Sequence, residues 1–238
     1  PDLPNKFSNA RFIIGSQHIQ DCLEQLTGLG YDNFYSPLEL LENYDLKKHN
    51  YLITQSYMES RLSVCINSHK MYFENKEKIY MRSIDIMITE RCSLKCESCC
   101  NLMQYYKAPK NTDEISILDS LSIISQNVDE ISEFRIIGGE PLMNRQWSLI
   151  VQSIADKFPD KQIFIYTNGT IAPKDEKLIE LKEKNVNFII TSYGHLSKNL
   201  NALENQLNKH SLNYVTTPAE HWVDCSSVRH HKRSATDL

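Results

Sequence analysis

Ser83-Ile84-Asp85-Ile86-Met87-Ile88-Thr89 runs directly into Glu90-Arg91-Cys92-Ser93-Leu94-Lys95-Cys96-Glu97-Ser98-Cys99. The first part is short, apolar and rich in isoleucine, which reads as a strand. The loop after it carries three cysteines in the spacing Cys-x3-Cys-x2-Cys. Three thiolates on one short loop can hold three irons of a cubane iron–sulfur cluster and leave the fourth iron open; a cluster built only to carry electrons normally takes four cysteines. A ligand loop at the carboxyl end of a strand is also how parallel α/β sheets place their sites.

The chain downstream repeats the strand-then-longer-segment rhythm. Strands are expected at 134–137, 162–166, 186–191 and 213–216, and helices at 113–126, 145–157, 174–184 and 197–209. In the first helix Ile115, Ile117, Leu118, Leu121 and Ile124 keep helical spacing, with Thr112 or Asp113 as cap. Such alternation means a parallel sheet with crossover helices, and the doubly apolar strands fit burial on both faces. Four of the seven glycines, Gly138, Gly139, Gly169 and Gly194, fall just past predicted strand ends. Glycine permits close backbone approach to a ligand and also suits tight turns. Cysteines and glycines are therefore expected to meet on one rim.

The first 80 residues read as a strand at 11–15, a helix at 17–26, a short strand at 31–35, then helices over 38–48 and 52–72, with a charged connection at 74–78. The division expected is a small N-terminal α/β accessory subdomain over 1–80, a core over 81–217 and a tail over 218–238.

The net charge of −4 gives no electrostatic case for a nucleic-acid or membrane-surface partner. The basic run Arg229-His230-His231-Lys232-Arg233 reads as a solvated tail. No run approaches the roughly 18 apolar residues of a membrane span, and Pro1–Lys6 lacks signal-peptide organisation. Seven cysteines, four of them within 92–100, argue against a disulfide framework and for metal in a reducing compartment, by default the cytoplasm.

Thiolates suit zinc or iron–sulfur sites. A structural zinc needs four ligands; Cys100 stands too close to Cys99 to share one tetrahedral ion comfortably, and no spacing selects His18, His69 or His195. After the second strand comes Gly138-Gly139-Glu140-Pro141-Leu142, exposing backbone groups beside an acceptor for an ammonium group. After the third comes Tyr166-Thr167-Asn168-Gly169-Thr170, whose hydroxyl and amide groups suit ribose and adenine edges, and after the fourth Thr191-Ser192-Tyr193-Gly194. Taken singly, each is an ordinary turn.

In this order, over residues 83–217, the set resembles the radical S-adenosylmethionine (radical SAM) enzymes. The resemblance implies a partial (β/α)6-type TIM barrel. It implies a 4Fe-4S cluster on Cys92, Cys96 and Cys99, and S-adenosylmethionine against Gly138, Gly139, Glu140, Thr167, Asn168 and Ser192. In that family the cluster reduces the sulfonium, and the resulting 5′-deoxyadenosyl radical takes a hydrogen atom from substrate. The resemblance further implies a one-electron donor such as flavodoxin or ferredoxin. Ser98 departs from the aromatic residue usual before the last cysteine. Cys225 is the only cysteine downstream, where many relatives carry a cysteine-rich extension; it reads as an ordinary thiol, with either no auxiliary cluster or a shortened form.

Tyr105, Tyr106, Tyr193 and His195 are substrate-side candidates by position. The segments Asn101-Leu102-Met103, Thr191–Gly194 and His221-Trp222-Val223-Asp224 resemble a radical SAM subgroup associated with surface-polysaccharide and nucleotide-sugar functions. Three functions follow as expectations. The first is an enzyme acting on a small molecule such as a sugar nucleotide or glycan precursor. The second is a peptide- or protein-modifying enzyme. The third is a non-catalytic iron–sulfur or zinc protein.

Overall fold

The computed structural model describes residues 10–16, 18–48, 55–74, 78–96, 99 and 101–219. Ser98, Cys100, Cys225, the 221–224 segment and the basic tail lie outside the described residues. The elements are β1 (Phe12–Ile13), α1 (Ile19–Gly28), β2 (Phe34–Tyr35), α2 (Leu38–Glu42) and α3 (Gln55–Glu74), then β3 (Tyr80–Thr89), α4 (Glu114–Asn127), β4 (Glu130–Gly138), α5 (Trp147–Lys157) and β5 (Gln162–Thr167). They continue with α6 (Asp175–Ile179), β6 (Val186–Ser192), α7 (Leu200–Lys209) and β7 (Asn213–Pro218). Strands β3-β4-β5-β6-β7 form one parallel sheet in chain order, the open (β/α) arrangement of a partial TIM-type barrel. β1 and β2 form a separate parallel pair over two residues each, with α1 as crossover.

Register sorts the side chains. Ile86 faces Ile136, and Ile165 faces Phe188. With Ile88, Phe134, Ile163 and Ile190 these project to one face, where Leu121, Trp147, Ile150, Ile154, Leu178, Leu203 and Leu207 from the crossover helices bury them. The opposite face mixes charged and amide side chains with apolar ones such as Phe164: Asp85 pairs with Arg135 and Glu133 with Gln162, and Asn187 Nδ2 donates to Gln162 Oε1 at 2.8 Å. α3 packs over this face. Its Arg61 Nη1 meets Glu133 Oε2 at 2.6 Å, and the guanidinium stands 6.0 Å from the Phe164 ring centroid. No helix among the described residues is long and apolar enough to cross a membrane.

Several expected boundaries shift. β3 and β4 start earlier than 83 and 134, because Tyr80 pairs with Glu130 and its hydroxyl bonds Ser132 Oγ at 2.9 Å. Polar residues pair here, so an apolar pattern could not reveal them. The helix expected over 174–184 stops at Ile179. Three-residue turns follow (Leu181 N to Leu178 O, Lys182 N to Ile179 O), leading to Glu183 at φ +85, which swings the chain into β6. The helix expected over 38–48 resolves into α2 and a 3-10 turn, Leu46–Lys48.

Candidate functional site

The cysteine loop leaves β3 and returns to α4 through a pinned neck. Glu90 N donates to Lys110 O at 2.9 Å and Thr112 N to Ile88 O at 3.0 Å. Lys110 N donates to the Glu90 carboxylate at 2.8 Å, and Thr89 Oγ1 to Asn111 Oδ1 at 2.6 Å. Asp113 then caps α4 by accepting from Ser116 N at 2.9 Å. Residues 90–111 thus form a loop closed at its base, with the cysteines on its outbound limb.

That limb rests on Gly138 and Gly139. Gly139 N donates to Thr89 O at 3.0 Å and Glu140 N to Arg91 O at 2.7 Å. A Cβ on Gly139 would stand 2.3 Å from Arg91 O and 2.7 Å from Cys92 Cβ; one on Gly138, at φ +156, would stand 2.4 Å from Thr89 O. No side chain fits at either position. The two glycines therefore let the cysteine loop sit against the end of β4.

Glu140 is fully buried. Its Oε1 accepts from Thr167 Oγ1 at 2.8 Å and Leu142 N at 3.1 Å, and its Oε2 accepts from Asn168 N at 2.8 Å. Burial pushes the carboxyl up to about 6, against the pull of these donors. The carboxylate ties the end of β4 to the end of β5.

Asn168, also buried, joins β5 to the cysteine loop. Its Nδ2 donates to Ser93 Oγ at 3.1 Å and lies 3.7 Å from Cys92 Sγ. Its Oδ1 accepts from Thr170 N at 3.1 Å and Thr170 Oγ1 at 2.7 Å. Ser93 Oγ and Thr170 Oγ1 are 2.5 Å apart, and Ser197 Oγ donates to Asn168 O at 2.7 Å.

Beside these groups lies a cavity of about 220 Å³ lined by Asn101, Ile137, Gly138, Gly139, Tyr166, Thr167, Asn168, Thr191 and Tyr193. The expected site residues Gly138, Gly139, Thr167 and Asn168 thus meet at one rim. Glu140 acts from behind it. Ser192 is off the lining; its Oγ accepts from Gly194 N at 3.4 Å, while its neighbours Thr191 and Tyr193 face the cavity, as strand alternation requires. Of the substrate-side candidates Tyr193 lines the cavity. Tyr105, Tyr106 and His195 are exposed away from it. Asn101, Ser93, Thr170 and Ser197 were not foreseen as site residues. Asn101 Nδ2 donates to Gly138 O at 3.2 Å, a contact that only the returning loop creates.

Cys92, Cys96 and Cys99 are half-buried. Burial raises the Cys92 thiol; Leu94 N–H opposes this, and Glu140, Cys96 and Cys99 add to it. Burial, then Cys99, raises Cys96. Among the described residues no group of three or more His, Cys, Asp or Glu side chains is gathered around a point for a single metal ion. A cubane gives each thiolate its own iron, so its sulfurs need not converge on one point. The donor set suits such a cluster: soft thiols on a pinned loop beside a polar cavity.

The Radical SAM superfamily profile matches residues 86–215. The chain belongs to this superfamily of enzymes, which use a 4Fe-4S cluster and S-adenosylmethionine. It is similar to the GTP 3',8-cyclase of Campylobacter jejuni subsp. doylei, 31% identical over 105 residues, or 42% of this chain and 32% of that protein. It is also similar to the GTP 3',8-cyclase of Clostridium acetobutylicum, 35% identical over 112 residues, or 44% of this chain and 35% of that protein. The chain spans about a third of the length of these curated relatives. Among solved structures it is similar to BtrN in complex with AdoMet and 2-DOIA, with a TM-score of 0.45 and 21% identity, covering 58% of this chain and 56% of that one.

Proposed function

We propose that this chain is a radical SAM enzyme that carries a 4Fe-4S cluster on Cys92, Cys96 and Cys99, binds S-adenosylmethionine in the adjoining cavity, and acts on a small molecule of the sugar-nucleotide or glycan-precursor class. The observation that carries the reading is the seating of the cysteine loop on Gly139, which also lines the cavity. Gly138 and Gly139 offer bare backbone to the methionine end. Glu140 holds Thr167 and Asn168 in place, and Thr167 lines the cavity on the ribose side, where Ser192 takes part only if it turns from Gly194. Bound together, the two cofactors supply one-electron cleavage of the sulfonium and a 5′-deoxyadenosyl radical that abstracts hydrogen. The electron comes from a small donor protein such as flavodoxin or ferredoxin. Residues 1–80 serve as an accessory layer, 81–217 as the core and 218–238 as a tail.

Two observations support a small-molecule substrate over a peptide. β1 and β2 pair over two residues each, too short an edge for strand addition. A cavity of about 610 Å³ opens instead between α1, α3 and the start of β3, lined in part by Gln20, Glu24, Phe34, Tyr72 and Tyr80. The relatives named for GTP favour a nucleotide-bearing molecule.

The test is anaerobic reconstitution with iron and sulfide, followed by dithionite and S-adenosylmethionine. The expected result is about four irons per chain and release of 5′-deoxyadenosine without added substrate. Cys96→Ala loses cluster colour and product together. A reconstituted cluster that yields no 5′-deoxyadenosine overturns the reading.

A further inference from the structure

Asn168 is placed to do more than border the cavity. The identity of its two side-chain atoms is settled by chemistry. Thr170 N–H can only donate, so the atom 3.1 Å from it is Oδ1. The amide nitrogen must then face the cysteine loop. An amide carries two N–H bonds: one runs to Ser93 Oγ at 3.1 Å, and the other faces Cys92 Sγ at 3.7 Å. The donors close a ring, from Asn168 Nδ2 to Ser93 Oγ, Ser93 to Thr170 Oγ1, and Thr170 Oγ1 back to Asn168 Oδ1. The backbone is held as well, by Glu140 Oε2 accepting from its N–H and by the Ser197 hydroxyl donating to its carbonyl. With both ends fixed, the residue cannot turn its amide from the sulfur without breaking several bonds.

We infer that Asn168 is a positioning residue for the Cys92 thiolate, donating to the sulfur and holding the reduction potential of the cluster bound there at a higher value. The inference rests on the cluster assignment proposed above. A donor aimed at a ligating sulfur stabilises negative charge there. The reduced cluster puts more electron density on that sulfur than the oxidised one, so the donor favours reduction. The surroundings magnify the effect, since Asn168 is 8% exposed and Glu140 behind it is fully buried.

Asn168→Asp is the test. It keeps an oxygen toward Thr170 and lets the Ser93 hydroxyl turn to donate, so the loop stays latched. It replaces the donor at the sulfur with a charged acceptor. The full chain is reconstituted anaerobically, iron and sulfide are counted, and the potential is read by redox titration followed by electron paramagnetic resonance. The expected shift is about tenfold toward the oxidised cluster, or about 59 mV for a one-electron couple. Asn168→Ala, which loses the donor without adding charge, shifts in the same direction by less, and answers the question if the aspartate variant retains no cluster. Ser93→Ala removes the loop's hydrogen bonds but leaves the amide facing the sulfur, so iron retention falls and the potential holds. If Asn168 only latches the loop, all three variants lose iron together and those that retain it keep the wild-type potential; that result overturns the inference. A wild-type chain that takes up no cluster fails the function reading first, so the two failures are told apart.

Discussion

Gly139 has neighbours that cannot give way. Its Cβ position is 2.3 Å from a backbone oxygen and 2.6 Å from the attached carbon of Arg91. Gly139→Ala is expected to push the cysteine loop off β4, costing about 1–3 kcal/mol as overpacking does, and to reduce iron uptake at least tenfold while the circular dichroism of the core is retained. Wild-type iron content in a folded G139A protein would rule this out. Glu140 gives a second prediction. Its raised carboxyl binds its proton more tightly in the folded chain than in the unfolded one, so ionising it between pH 4.5 and about 6 removes stability, by about 2 kcal/mol. Glu140→Gln abolishes that slope. It also sets an amide donor against one of the three donors now satisfied, which costs about 1–3 kcal/mol at pH 7. Denaturant unfolding from pH 4 to 7 measures both effects, and an unchanged slope would show that another group carries it. The Gly-Gly-Glu run itself was visible in the sequence. That its carboxylate turns inward to Thr167 and Asn168 was not, because those partners lie 27 and 28 positions away.

At the scale of elements, the neck of the 90–111 loop and the seat of α3 behave as separate units. Asn111→Ala removes the bond from Thr89 and is expected to cost about 0.5–1.5 kcal/mol, with faster amide exchange confined to residues 90–111; exchange that quickens across the whole sheet would contradict a local neck. α3 responds to pH through His69, which is 1% exposed and bonds Ser36 Oγ at 3.1 Å through Nδ1. Burial holds its pKa below 6.5. The unfolded chain therefore protonates first, and the stability this neutral histidine contributes is present above pH 6.5 and lost as pH falls beneath it. Proteolysis within residues 10–48 is expected to quicken between pH 7 and 5, and less so in His69→Gln. The central elements were legible from periodicity, since α4, α5 and α7 carry apolar residues at helical spacing. The N-terminal limits of β3 and β4 were not. Ser132 and Glu133 are buried, and half-buried Tyr80 is tied to Ser132, through hydrogen bonds and ion pairs that leave no apolar pattern.

Over the whole molecule, the sheet separates an apolar face under the crossover helices from a mixed face, with charged and amide groups among apolar ones, under α3. Glu133, fully buried, joins the two regions by accepting from Arg61 at 2.6 Å and from the Arg135 fork at 2.7 and 2.8 Å. Removing the carboxylate leaves two guanidiniums without their shared partner. Glu133→Gln is expected to cost about 3–5 kcal/mol in thermal or denaturant unfolding, and a loss below 1 kcal/mol would show that solvent already screens the cluster. Cysteine spacing, the glycines at strand ends and the alternation of apolar runs were readable along the chain, because each depends on neighbours a few positions apart. They were enough for a parallel α/β sheet with a thiolate loop at its rim. Which residues work together at that rim, and beneath α3, was settled by folding. Asn168 meets Cys92 across 76 positions, Asn101 meets Gly138 across 37, and Arg61 meets Glu133 across 72. Each meeting depends on strand register and on how the crossover helices return the chain, and neither quantity is carried by any one stretch of residues.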